Sequence, residues 1–205
     1  MLGLPRQTEI VKILPKESFY KNIGISNEVK ARFVSDIKKI TITNILSTKT
    51  LNVEDGSETK EIIVLLIELK VKNYDKRIIE TIAKQNQHSL LFHMQYESEH
   101  QQLVWIDKLY ENEWKTDVAY IFPINGFNID EIWKGIVLHI VGLDSRNKNS
   151  LSDALLIQDE MCRIKKQIDN LQKKVITEKQ ANRQFEMSAR LKEYRKRLNI
   201  LEEEI

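Results

Sequence analysis

Hydrophobic and polar positions follow two different periods along this 205-residue chain, and the switch between them divides it. From residue 59 to 72 the period is two. Ile63, Leu65, Ile67, Leu69 and Val71 make one face wholly apolar, while the other starts with Ile62, Val64 and Leu66 and turns polar at Glu68, Lys70 and Lys72. That pattern predicts a long strand with one face in a core and the other covered over its first half. Residues 40–46, 50–54, 90–96, 102–109 and 117–122 read as further strands, with 90–96 and 102–109 forming a hairpin. Helical spacing marks residues 15–22, then a helix capped by Ser26 that buries Val29, Phe33, Ile37 and Ile40. Two more helices are expected: one from Asp75 to Gln87 burying Ile78, Ile79 and Ile82, and one begun by Asn128 or Asp130 and closed by Gly142. The last turns Ile132, Trp133, Ile136, Val137 and Ile140 inward. Helix, three strands, helix, further strands and helix predict a mixed α/β sheet domain over residues 1–144.

Beyond residue 150 only the longer period remains. Ile157, Met161, Ile164, Ile168, Leu171 and Val175 alternate spacings of four and three, and so do Met187, Leu191, Tyr194, Leu198, Leu201 and Ile205. Val175 and Met187 are out of phase with one register, and TEKQANRQFE between them is mostly polar. Residues 151–205 are therefore expected to fold back as an antiparallel helical hairpin, a coiled-coil arm whose first helix runs about 35 Å. One long helix with a discontinuity, or a homodimer with arms paired between chains, are the competing arrangements.

Composition supports that division. All six glycines and all three prolines precede residue 143. No apolar run approaches the roughly 20 residues that span a bilayer, and MLGLPRQTEI lacks the build of a signal peptide. The single Cys162 excludes a disulfide framework and a cysteine zinc site, and points to the reducing cytoplasm. Net charge is only +2, but twelve Lys or Arg against four Asp or Glu lie between Arg163 and Arg197. Within that basic arm Lys173, Lys174, Lys179, Arg183, Arg190, Lys192 and Arg195 are candidate contacts to a nucleic-acid backbone or a protein partner.

Candidate chemistry is sparse. Glu68 and Lys70, two apart on a strand, share a face where it turns polar. Metal-dependent nucleases use such a Glu-x-Lys pair, the Glu binding Mg²⁺ and the Lys activating water, with a further acid for which Asp55 or Glu54 is available. The element order around the pair resembles the restriction-endonuclease-like core. Turn chemistry alone also explains Asp55-Gly56. His93 is expected to face solvent, His100 to sit in a turn, His88 to end a helix and His139 to lie at a core edge. Trp105, Trp114 and Trp133 read as core anchors.

Four stretches carry a family resemblance: GLPRQTEIVKILPKESFY, TLNVEDGSETKEIIVLLIELK, QNQHSLLFHMQYE and EKQANRQFEMSARLKEYRKRL. Together they resemble an uncharacterised bacterial family of unknown function over nearly the whole chain. The resemblance implies a small companion of helicase-like ATPases and DNA methyltransferases in restriction or phage-defence loci, and supplies no catalytic residues. Asn86-Gln87-His88 stands where it implies a Pro-Tyr-His step. The leading expectation is a non-catalytic adaptor without cofactor, docked on a larger protein and touching a partner or DNA through the arm. The alternative is a Mg²⁺-dependent nuclease built on Glu68, Lys70 and Asp55.

Overall fold

A computed structural model describes residues 2–20, 25–116, 122, 124–144 and 149–204. The chain forms two compact units, residues 1–145 and 146–205. The first is built on a seven-stranded sheet. Strands β1 (Glu9–Leu14), β2 (Ile37–Ser47), β3 (Glu61–Leu69), β4 (Ser89–Tyr96), β5 (Glu99–Trp105) and β6 (Leu109–Glu111) lie side by side in chain order, and the short β7 (Lys115–Thr116) also pairs with β5. Every pair is antiparallel except β3 with β4. A parallel pair needs a crossover, which helix α4 (Arg77–Lys84) provides. Short α1 (Glu17–Tyr20) and the longer α2 (Asn27–Asp36) lie between β1 and β2.

Both faces of the central strands are covered, so IIVLLI in β3 and LLF in β4 are continuous apolar runs. One face joins Phe33 of α2 and Ile78, Ile79 and Ile82 of α4 with Leu65, Ile67, Phe92 and Met94 in a single core. On the other, Ile62, Val64, Leu91 and Val104 are buried on the side of helix α5 (Ile129–Val141), whose Ile132, Ile136 and Val137 are buried too. The caps sit where side-chain chemistry puts them. Ser26 Oγ accepts from Val29 N–H (3.3 Å), Asn128 Oδ1 accepts from Glu131 N–H (2.9 Å), and Gly142 closes α5 at φ 78°.

Several expectations need correction. Helix α2 stops at Asp36, and Ile37 and Ile40 belong to β2. Both still reach the core because a register shift between Ile37 and Lys39 brings two positions that a regular strand would place on opposite faces to the same side. Residues 50–54 form no strand. Ser47 and Thr50 build a capping box around one helical turn, α3 (Thr48–Leu51), and Glu54 makes only an isolated bridge to Asn128. The sheet edge β1 was not foreseen, since its side chains are almost all exposed and carry no burial period. The strand expected at 117–122 lies, apart from Phe122, outside the described residues.

His93 does not face solvent. It is 8 % exposed, on the sheet face that also buries Leu91 and Val104 and that alternation alone leaves open. One fixed donor orients its surroundings. Gln102 N–H donates to Asn112 Oδ1 (2.8 Å), so Asn112 Nδ2 donates to Gln102 Oε1 (2.6 Å). The Gln102 amide then donates to His93 Nδ1 (3.2 Å), which leaves the proton on Nε2 to be given to His100 Nδ1 (3.0 Å). His100 itself lies on β5 and not in a turn. Burial, and then the charge of His100, pull the His93 pKa down to about 3.

The second unit is two helices packed together, α6 (Leu151–Thr177) and α7 (Ala181–Glu203). Twenty-seven residues make α6 about 40 Å long. Met161, Ile164 and Ile168 are buried, while Ile157, Leu171, Val175 and, on α7, Met187, Leu191, Tyr194, Leu198 and Leu201 are half-buried. These are the positions of the two heptad-spaced runs. Their phase break is the turn itself, three residues long. Glu178 Oε1 accepts there from Lys179 N–H (2.8 Å) and Gln180 N–H (2.9 Å), and Gln184 Nε2 donates to the Val175 carbonyl (3.2 Å).

Candidate nucleic-acid interface

The two ends of the helical hairpin treat charge differently. At the end holding Leu151 and Glu203, Glu160 takes Arg163 (3.6 Å) and Arg197, and Lys165 pairs with Glu202 (3.5 Å). Lys173, Lys174, Lys179, Arg183 and Arg190 lie nearer the turn, Lys192 stands at the middle of α7 and Arg195 in its second half, and all seven are exposed. Among the described residues none of the seven has a carboxylate within ion-pair distance. Their stems are carried on regular helix except at Lys179, so the charges stand at fixed intervals. Arg183 and Arg190 flank the half-buried Met187 along a shallow groove of about 290 Å³, with Glu178 and Glu186 at its rim.

Phe185 joins them, 77 % exposed, and Ile176 stands on α6 with 81 % exposure. The place of Phe185 outside the heptad positions of α7 is the sequence signal of its exposure. Trp105 is half-buried with the Lys84 ammonium 5.2 Å from its ring centre, and Lys72 sits likewise over Trp114 at 5.5 Å.

Glu68, Lys70 and Asp55 do not converge. Glu68 lies at the far end of β3, and across the ladder stands Lys39. Lys39 and Lys38 approach its carboxylate to 3.6 and 3.4 Å. Lys70 follows the last strand residue, is exposed, and donates through Nζ to the Val34 carbonyl (2.8 Å). Asp55 precedes β3, in the loop that folds onto the start of α5. Asp130 Oδ2 there accepts from Ser57 N–H (2.6 Å) and Oδ1 from Thr59 N–H (2.7 Å). Glu61 and Glu68 are seven residues apart on one strand, roughly 23 Å. The two acids of the nuclease alternative thus sit near opposite ends of β3. Among the described residues no three His, Cys, Asp or Glu side chains gather as a metal would require.

The Asp130 contacts explain Asp55-Gly56 better than a hairpin turn does. A Cβ on Gly56 would lie 2.5 Å from Asp130 Oδ1 and 2.7 Å from Ile129 Cγ2, so only glycine lets the loop approach the helix this closely. Burial pushes the Asp130 carboxyl up, but donation from Thr59, Ser57 and Glu58 outweighs it and sets the pKa at about 2.

The profile of one family matches residues 2–198, nearly the whole chain. The chain belongs to the family Domain of unknown function (DUF4391). That match takes in both the sheet and most of α7, so the family's shared unit includes the basic helical pair. Comparison with curated proteins and with solved structures returned no match. No helix among the described residues is long and apolar enough to cross a membrane.

Proposed function

We propose that this DUF4391 chain is a non-catalytic accessory subunit of a bacterial DNA-restriction or anti-phage defence complex. Its sheet unit docks on a larger protein, such as a helicase-like ATPase or a DNA methyltransferase, and the turn end of its arm contacts the DNA backbone. The observation that carries this reading is the set of seven exposed cations without carboxylate partners. Solvating a helix requires charge but not an excess of one sign, and from Arg163 to Arg197 twelve Lys or Arg stand against four Asp or Glu. Like charges repel across short distances, and a phosphate chain relieves that repulsion while releasing its own counterions. Docking of the body is supported by β1, an edge strand with Val11 83 % and Ile13 60 % exposed. An edge strand with exposed apolar side chains suits addition of a partner's strand, although Lys12 and the register shift between Glu9 and Lys12 restrict where it can pair.

Fluorescence anisotropy with the full chain and a labelled 20-base-pair duplex tests the arm. With five to seven phosphate contacts, the log of the association constant should fall against log salt with a slope of about −4 to −6. Lys173→Glu, Lys174→Glu and Arg183→Glu combined should abolish the binding at unchanged helix content. Retained affinity in that triple variant, or a flat salt dependence, would contradict the reading.

A further inference from the structure

The exposed ring of Phe185 is not isolated. Lys192 lies seven residues on and Lys196 eleven, so both share its stripe on α7, about 10 and 16 Å along the axis. All three are exposed, and the half-buried Met187, Leu191, Tyr194 and Leu198 occupy the opposite side of the helix. Glu186 and Glu193 each come one position later, about 100° around, so that stripe holds no acid from Phe185 to Lys196. An apolar socket on a protein would have to bring an acidic rim to satisfy these lysines. A nucleic-acid strand offers phosphates and ring faces in one ligand, but presents those faces only where its bases are unpaired.

We infer that Phe185 is a stacking platform for an unpaired base, with Lys192 and Lys196 on the adjoining phosphates, so the arm's preferred ligand is single-stranded nucleic acid. This rests on the nucleic-acid reading of the arm and narrows it from any backbone to an unpaired one. Base–aromatic stacking tolerates any sequence, because every base has a π face. Ile176, the other exposed apolar side chain near the turn, has no ring face and takes no part.

The test titrates the full chain into a 20-nucleotide oligothymidylate with one central 2-aminopurine, and into a 20-base-pair duplex. The single strand should bind more tightly, and the 2-aminopurine emission should be quenched as the ring stacks. Phe185→Ala should weaken single-strand binding about 5- to 150-fold and remove the quenching, with duplex affinity unchanged. Phe185→Trp should keep both signals, and Phe185→Leu should lose them. Retained binding by the Leu variant, or equal losses on both DNAs, would overturn the stacking role and point to apolar packing. If the triple charge variant loses all DNA while Phe185→Ala changes nothing, the stacking inference fails and the backbone reading stands. If neither DNA binds the wild-type chain, both fail.

Discussion

In the sheet unit several polar groups are answered from within, His93 by Gln102 and His100, Asp130 by the loop at Ser57 to Thr59, Glu68 by Lys38 and Lys39, while the buried Thr41 and Tyr74 hydroxyls are left without a partner among the described residues. Along the arm, seven exposed cations have no carboxylate within ion-pair distance among the described residues, and Phe185 stands exposed beside them. The first arrangement stores stability, because an unanswered buried polar group costs about 1–3 kcal/mol. The second stores almost none, because an exposed charge is already hydrated. Substitutions should therefore split cleanly, costing stability without binding in one region and binding without stability in the other.

The largest effect should come from His93. Its folded pKa of about 3 lies below the 6.5 of an unfolded histidine, so between these values the unfolded chain binds a proton that the folded chain refuses. Stability from this group is complete above pH 6.5 and falls toward pH 3 by about 1.4 kcal/mol per pH unit, about 5 kcal/mol in all. The proton would have to enter at Nδ1, where the Gln102 amide already donates. His93→Gln keeps an acceptor for Gln102 and a donor for His100 but does not titrate. Urea unfolding from pH 7.5 to 4 should show a shallower acid loss in that variant. Parallel curves would mean the acid sensitivity lies elsewhere, and DNA affinity at pH 7.5 should be equal in both proteins.

Next in size is the reversed arm. Lys173→Glu, Lys174→Glu and Arg183→Glu together should lower DNA affinity at least 100-fold near 100 mM salt, while the thermal midpoint moves by no more than a degree or two. Arg163→Ala and Lys165→Ala, at the paired end, serve as the contrast and should change affinity less than threefold. Equal losses from both ends would erase the distinction drawn from the ion pairs.

A smaller loss is expected where the β3 loop meets α5. Gly56→Ala must push Asp130 or Ile129 aside, and Asp130→Asn exchanges one acceptor oxygen for a donor facing backbone N–H groups. Each should cost about 1–2 kcal/mol in denaturant unfolding at neutral pH, with the exposure of this site limiting the loss. Asp130 also fixes a sign. Its pKa of about 2 is below the unfolded carboxyl value, so its contribution is present at neutral pH and disappears as pH falls from about 4 to about 2. Asp130→Asn should flatten that interval alone.

How far sequence reached follows from the same physics. The heptad-spaced runs of the arm and the caps at Ser26, Asn128 and Gly142 were legible because each is local: a period, a side chain reaching a backbone group three residues away, or a glycine free to take a positive φ. The buried strands were legible from apolar runs. What could not be read was whatever depends on a neighbour from elsewhere in the chain. His93 alternates correctly for an open face, and only the packing of the folded chain closes it. Ile37 and Ile40 fit a helix until a register shift against β3 puts them on a strand. Glu68 and Lys70 have the spacing of a metal site, yet the residue across the ladder from Glu68 is Lys39. Phe185 was legible only as an aromatic outside the heptad, because helical spacing does not say what an exposed ring meets.

Glu68 makes the smallest and most discriminating test. Lys38 and Lys39 hold its carboxylate at 3.4 and 3.6 Å, at a position that water still reaches. Ion pairs of that kind contribute about 0–1 kcal/mol, since two flexible ammonium stems lose entropy to make them. Glu68→Gln should therefore lower stability by less than about 1 kcal/mol. Lys70→Ala gives up one exposed bond to a carbonyl and should cost no more. Neither should alter DNA affinity, because neither belongs to the surface where charge is left open. Magnesium sharpens the outcome. Two ammonium groups raise the local potential that a divalent cation must enter, so Mg²⁺ at millimolar concentration should leave the thermal midpoint of wild type and both variants unchanged. A Mg²⁺-dependent rise in wild type that Glu68→Gln abolishes would place a metal where the ladder has put a lysine, and would move the functional surface from the arm to the end of β3.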